Sequence, residues 1–251
     1  MQALGVILLS GEEALARSMD VIANNIANAN TTGFKREGVA FSTYLTNRPN
    51  ALTAPLQLAV DKASYRDISN GPIQKTGNEL DLAISGKGYF QVQKADGSFA
   101  YTRAGSFQLN SAGELVTHSG EKVMGDGGQA LSLPENVSEV NVSSDGYVTA
   151  RTGTGPDLSQ LGKISVVKFD HEQSLQMLGG GLYTTSEAPQ TANGESTTGI
   201  VQGAVEDSNV NPVVELTTMI QISRSYQQTM NIISSDRDRN QQALDKLSKT
   251  S

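Results

Sequence analysis

His171 stands between Asp170 and Glu172, a run whose side chains are of the types that bind metals or relay protons. Either task needs the groups to converge. Neighbours along an extended chain point to opposite faces, so the trio diverges by spacing alone and reads as a surface turn. The second histidine, His118, follows Leu115–Thr117 in a turn-rich stretch. No G-x-S-x-G, P-loop or H-E-x-x-H pattern occurs. Gly125–Gly128 and Gly179–Gly181 are glycine-rich, but neither links a clear strand to a helix start as phosphate loops do. Asp96-Gly97 and Asp145-Gly146 lack the D-x-[DN]-x-[DN]-G loop and distal Glu of a calcium site, and read as hairpin turns. The residues call for no catalytic group, metal or cofactor.

What the sequence does concentrate is amide hydrogen bonding. Asn24, Asn25, Asn28 and Asn30 fall just before Thr31-Thr32-Gly33-Phe34, where a solvated helix would carry Glu or Lys. Asparagine is a mediocre helix former that offers both donor and acceptor. Asn24 and Asn28 share a helix face, while Asn25 is turned about 100° from Asn24. Such a helix is suited to bonding with neighbours rather than facing water.

The elements that must carry these residues follow from periodicity. Leu8, Leu15, Ile22 and Ala29 recur every seven residues, with Met19 and Ile26 four after Leu15 and Ile22. That spacing predicts a helix over about 3–30 with one apolar stripe. Asn211-Pro212 supplies an N-cap and a first-turn proline for a second helix. Its 3-4 spacing runs through Leu216, Met219, Ser223, Tyr226, Met230, Ile233, Arg237, Asn240, Leu244 and Leu247. At ~1.5 Å per residue it spans roughly 50 Å.

Between the helices, short alternating runs punctuated by Asp96-Gly97, Ala112-Gly113 and Asp145-Gly146 predict a mostly antiparallel β-domain. The fold class is therefore α+β, with long terminal helices paired as a coiled-coil-like α domain around a central β-domain. The expected divisions are 1–34 and 206–251 for the paired helices, 35–78 for an irregular extended linker, and 79–205 for the β-domain. Pro49, Pro55 and Pro72 punctuate the linker, which shows no sustained period.

Composition narrows the classes. A net charge of −7 leaves no basic face for nucleic acid. Met1–Ser10 is apolar but has no basic residue before it, and Glu12 and Glu13 interrupt it, which is wrong for a signal peptide or anchor. Membrane insertion is not expected. The absence of cysteine suits a chain exported unfolded, with no disulfide traps.

Ile22-Ala23-Asn24-Asn25-Ile26-Ala27-Asn28 followed by Asn30-Thr31-Thr32-Gly33-Phe34-Lys35 resembles the N-terminal signature of the bacterial flagellar rod and hook protein family. Gly86-Lys87-Gly88-Tyr89-Phe90-Gln91-Val92, Tyr101–Phe107 and Gly113–Val116 resemble its β-domain. Gly203–Asn211 and Met219–Tyr226 resemble its C-terminal motif. The matches come in the family's order and cover both ends and the middle. The resemblance implies an axial structural subunit of the basal-body rod, exported by the flagellar type III apparatus without a cleaved signal peptide and assembled in the periplasm. Its implied partners are proximal and distal rod proteins, copies of itself and the export apparatus. In the family the terminal helices form the inner tube, with the β-domain outside. The competing reading is a secreted β-domain adhesin with helical oligomerisation ends.

Expected assembly residues follow. Leu15, Met19, Ile22 and Ile26 should pack toward Met219, Tyr226, Met230 and Ile233, with the remaining helix faces meeting other subunits. The amides of Asn24, Asn25 and Asn28 should bond across subunit contacts. Gly33 should end the helix or support the turn beyond it at positive φ, helped by Thr31 and backed by Phe34. Asn209 and Asn211 complete the set. Tyr101 and Arg103 lie two apart, so they share a face and should form a structural pair inside the β-domain.

Overall fold

The computed structural model describes residues 2–46, 56–134, 137–152, 158–192 and 198–248. They form two compact units: residues 1–27, 37–67 and 211–251 in one, and 28–36 with 68–210 in the other.

The first unit holds both helices. Apolar spacing every three to four residues gives α1, Gln2–Ala27, and the proline start gives α2, Pro212–Ser248. The 37 residues of α2 make it roughly 55 Å long. Asn211 caps it, its side-chain oxygen accepting from the amides of Val213 (3.1 Å) and Val214 (3.3 Å). The helices pack on each other. Val21 and Ile22 of α1 are buried, and Leu15, Met19 and Ile26 half-buried.

On α2 the inward row is Glu215, Met219, Ile222, Tyr226, Thr229 and Ile233. Leu216 and Met230, expected in the seam, are 49% and 39% exposed. The buried row passes through Glu215, one residue before Leu216. A count anchored on the first large apolar residue cannot see that a carboxylate heads the seam. The side chains of Asn240, Leu244 and Leu247 lie outside the described set.

Residues 37–66 correct the expectation of an irregular linker. Glu37–Thr46 (β1) and Leu56–Arg66 (β2) form an antiparallel ladder packed on α1. Ala40 pairs with Ala63 but Phe41 with Asp61, so Lys62 is an extra residue in a bulge. The alternation Leu56, Leu58, Val60 therefore loses phase at Lys62, and the period-2 signal vanishes. Pro49 and Pro55 lie outside the described residues.

The second unit is antiparallel β throughout its described pairings. Its strands are β3 (Ile73–Lys75), β4 (Leu82–Ser85), β5 (Tyr89–Gln93), β6 (Phe99–Thr102), β7 (Phe107–Leu109), β8 (Leu115–Thr117), β9 (Lys122–Val123), β10 (Val137–Val142), β11 (Tyr147–Thr152) and β12 (Leu158–Lys163). They continue with β13 (Val166–Lys168), β14 (Gln176–Gly179), β15 (Leu182–Thr184), β16 (Gln190–Thr191), β17 (Gly199–Gln202) and β18 (Ala204–Glu206). The main sheet runs β14-β15-β6-β5-β9-β8-β7, with β13 joining β5 to β16. A second sheet is β10-β11-β12, and β17 and β18 return to pair with β4 and β3.

Alternation on β5 and β6 sends side chains to opposite faces. Phe90, Val92 and Ala100 enter the aliphatic core with Leu82, Ile84 and Ile164. Tyr89 and Tyr101 enter an aromatic cluster with Phe169 and Tyr183. Asp96-Gly97, Ala112-Gly113 and Asp145-Gly146 turn their hairpins with glycine at positive φ, as their dipeptides predict.

This unit also takes in residues 28–36, 68–78 and 206–210, which the sequence reading divided between the helical part and the linker. The physical cause is a buried polar junction that those segments complete.

Candidate functional site

Lys35, Arg103 and Glu206 meet inside the β unit, with side chains 2%, 3% and 1% exposed. Lys35 follows the Gly33-Phe34 turn, Arg103 follows β6, and Glu206 ends β18. One carboxylate serves both cations: Glu206 Oε1 accepts from Lys35 Nζ at 2.7 Å, and Oε2 from Arg103 Nε at 2.6 Å. Oε1 also accepts from the Gly71 amide at 2.9 Å.

Two buried cations against one anion leave excess positive charge, which burial makes costly unless polar groups surround it. Backbone carbonyls do so here. Lys35 donates to Ser69 O at 2.8 Å. Arg103 donates to Gly88 O through Nη1, and through Nη2 to Gly86 O (2.5 Å), Ile84 O (3.3 Å) and Asn70 Oδ1 (2.9 Å). The planar guanidinium suits this fan of acceptors, which an ammonium could not span. Burial pushes the Lys35 ammonium below its ordinary value of 10.5, and the bond to Glu206 opposes that shift.

Backbone approaches are as close as the ionic ones. Gly33 donates its amide to Glu206 O at 2.7 Å. It sits at φ +68°, and a Cβ there would lie 2.4 Å from the Arg103 carbonyl carbon. At Gly71 a Cβ would meet Asp207 O at 1.9 Å. Both positions exclude any side chain. Asn209 stitches the rim, accepting from the Arg36 amide (2.6 Å) and donating to Ser69 O (3.0 Å). Its own amide donates to Phe34 O at 3.3 Å.

A second polar anchor lies in the helical unit. Asn25, fully buried, accepts from the Glu37 amide and donates to the Glu37 carbonyl, both at 2.9 Å. Its amide nitrogen also donates to buried Glu215 at 3.3 Å. One side chain therefore ties α1 to the start of β1 and to the first turn of α2. Tyr226 adds a bond across the helix pair, donating to Glu12 at 3.1 Å.

The expected site residues divide between these anchors. Asn25 was expected to bond across subunits, but its amide bonds within the chain. Asn24 and Asn28 are half-buried; Asn24 reaches Glu37 Oε2 at 3.5 Å, and Asn28 accepts from the Thr31 hydroxyl at 3.2 Å. Helix α1 ends at Ala27, so Gly33 supports the turn beyond it rather than capping it. Phe34 is buried.

Tyr101 and Arg103 are both buried but do not pair with each other. Tyr101 packs edge-on to Phe169, at 4.8 Å between ring centroids, while Arg103 turns to Glu206. The intervening backbone leaves β6 at Thr102, which ends the strand alternation assumed for the pair.

Sequence reasoning missed Lys35, Glu206, Ser69, Asn70 and Gly71 as a constellation. A signal was present: Lys35 follows Phe34, and Glu206 follows Ala204-Val205, each a charge beside apolar residues and near a glycine. Asp170, His171 and Glu172 do diverge. Glu172 accepts from Tyr89 OH (3.2 Å), Asp170 accepts from Gln190 (2.7 Å), and the His171 side chain is 81% exposed. The junction arrays cations and acceptors for holding chain segments together, with its only carboxylate saturated.

Three family models match the chain in order. "Flagella basal body rod protein" covers residues 7–35, "Flagellar hook protein FlgE/F/G D1 domain" 83–150, and "Flagellar basal body rod FlgEFG protein C-terminal" 201–246. Lys35, Arg103 and Glu206 fall one in each. The flagellar basal-body rod protein FlgF of Caulobacter vibrioides is 37% identical over 245 residues, covering 96% of both chains. FlgG of Agrobacterium fabrum is 36% identical over 256 residues, covering 93% of this chain and 94% of its own. FlgG of Bacillus subtilis is 35% identical over 243 residues, covering 90% and 91%. The chain belongs to the flagellar basal-body rod protein family, in its FlgF/FlgG group, and is a structural rod subunit rather than an enzyme.

Proposed function

We propose that this subunit builds the periplasmic part of the rod by packing its terminal helices against neighbouring rod proteins, and so carries torque along the axis. The observation that carries this reading is the outer face of α2. Val213, Leu216 and Ile220 are 72%, 49% and 53% exposed. At ~100° per residue they lie roughly 100–160° round the helix from the row that packs on α1. A soluble helix would place charge there; this one offers an apolar ridge for a second helix. Asn24 near the end of α1 and Asn28 just beyond it, both half-buried, are candidate polar contacts in the same assembly.

Within the family we assign the chain to the proximal, FlgF-like position. The stretch between Phe34 and Gly71 lacks the Gly-Val-Arg-type segment expected of a distal subunit. The similarity to FlgG relatives supports the distal position as a second reading. Export through the flagellar apparatus without cleavage completes the proposal.

The test is the double variant Leu216→Glu with Ile220→Glu in the native host. We expect the purified chain to unfold as wild type does, because both side chains are exposed, while incorporation into basal bodies and swimming are lost. Normal incorporation of the variant would exclude the ridge as an assembly face.

A further inference from the structure

Asn70-Gly71 is one of two Asn-Gly dipeptides in the chain, the other being Asn193-Gly194, which lies outside the described residues. Asn-Gly is the sequence most prone to deamidation, because a glycine amide meets no side chain as it swings onto the preceding carboxamide. Its nitrogen forms a bond to the Asn side-chain carbon, and the bond from that carbon to Nδ2 breaks. Ammonia leaves, carrying the proton from the glycine amide, and a succinimide remains. Water then opens either carbonyl of the ring, giving Asp or isoaspartate. No oxidant or cofactor is needed.

The junction requires both residues of the dipeptide. Gly71 is imposed by the approach of Asp207 O, and Asn70 supplies an acceptor to Arg103 Nη2. The same contacts oppose the reaction. The attacking nitrogen donates its hydrogen to Glu206 Oε1 at 2.9 Å, beside a carboxylate that disfavours the anionic amide needed for attack. The carboxamide is pinned at both ends, Oδ1 by Arg103 and Nδ2 by Gly86 O at 3.2 Å. Asn70 is solvent-exposed, so water is available for hydrolysis and only the first step is held back.

We infer that Asn70-Gly71 is a latent succinimide site, protected by the Lys35–Arg103–Glu206 junction and unprotected whenever that junction is open. Isoaspartate at 70 lengthens the backbone by one carbon before Gly71, so its amide no longer reaches Glu206 in register. A chain that ages while unfolded therefore loses the ability to complete the junction, and a folded chain ages there only through its open fraction.

The test follows peptide 67–75, released by trypsin after Arg66 and Lys75, by mass spectrometry of the full-length protein. Samples are incubated in mildly alkaline buffer, native and in guanidinium, and Asp and isoaspartate at 70 are quantified. If reaction proceeds through opened molecules, the native rate is scaled by the open fraction and should be at least about tenfold below the unfolded rate. Glu206→Gln should bring the native rate toward the unfolded one. If that variant does not fold, Lys35→Met, which leaves Arg103 paired, should give an intermediate rate. Equal rates for native and unfolded wild type would overturn the proposal, as would a folded Glu206→Gln protein with wild-type protection at 70.

Discussion

Glu206→Gln probes the junction most sharply, because the substitution keeps the shape and removes the only carboxylate. In the native chain that group meets Lys35 at 2.7 Å, Arg103 at 2.6 Å and the Gly71 amide at 2.9 Å. Glutamine offers one acceptor oxygen for three donors and leaves two buried cations without a counter-ion. Breaking a buried ion pair from one side costs about 3–5 kcal/mol. The carbonyls around Arg103 soften that loss, and repulsion between Arg103 and Lys35 adds to it, so we expect a value within the range.

The assay is urea unfolding followed by the near-ultraviolet circular dichroism of tyrosine, since the chain has no tryptophan and Tyr89, Tyr101 and Tyr183 are buried in this unit. A double-mutant cycle with Lys35→Met isolates the Lys35–Glu206 share. Lys35→Met alone should cost less than Glu206→Gln, because it removes one of two cations and leaves the Arg103–Glu206 pair intact. A loss below about 1 kcal/mol for Glu206→Gln, the range of exposed pairs, would refute the reasoning.

Asn25→Ala should destabilise the helical unit by about 1–3 kcal/mol, since it removes a fully buried amide that both accepts from and donates to the Glu37 backbone, measured by helical circular dichroism during unfolding. Asn24→Ala should cost less than Asn25→Ala, since Asn24 is half-buried and its bond to Glu37 Oε2 is a long 3.5 Å. Gly33→Ala should prevent or severely weaken folding of the β unit, read from the tyrosine signal, because the backbone of Arg103 occupies the space of a Cβ. Alkaline pH should act in two opposed ways. Lys35 is depressed by burial, so between its folded value and 10.5 the unfolded chain holds more protons and stability rises with pH. Tyr89 and Tyr101 are raised by burial above 10.0, so past that point the folded chain holds more protons and stability falls. Lys35→Met should abolish the rise and Tyr89→Phe reduce the fall, each read from denaturant midpoints across a pH series.

The helices and hairpins were legible because local periodicity and turn dipeptides encode them. Asn211-Pro212 identified the cap, and the hairpins turn at Asp96-Gly97, Ala112-Gly113 and Asp145-Gly146, where their dipeptides put them. The β1–β2 ladder was hidden by the bulge at Lys62, which shifts the alternating phase halfway along the strand. The seam of α2 was displaced because a buried glutamate heads it, and burial of a charge depends on a partner, Asn25, that lies far away in sequence. The junction was hidden for the same reason: Lys35 and Glu206 are 171 residues apart, and no window along the chain contains both. The family motifs marked each segment without saying that the three charges meet. Asn25 was legible as a polar anchor, but its direction, into the chain rather than toward a neighbour, depended on where Glu37 falls.

The central claim is that this chain is a wall subunit of the rod, joined to its neighbours through its terminal helices. A density map of basal bodies purified from the native host tests it directly. It should show α1 and α2 paired in the rod wall, with the Val213–Leu216–Ile220 ridge against a neighbouring helix. Basal bodies whose rod is complete without this chain, or a rod in which that ridge faces solvent, would contradict the account.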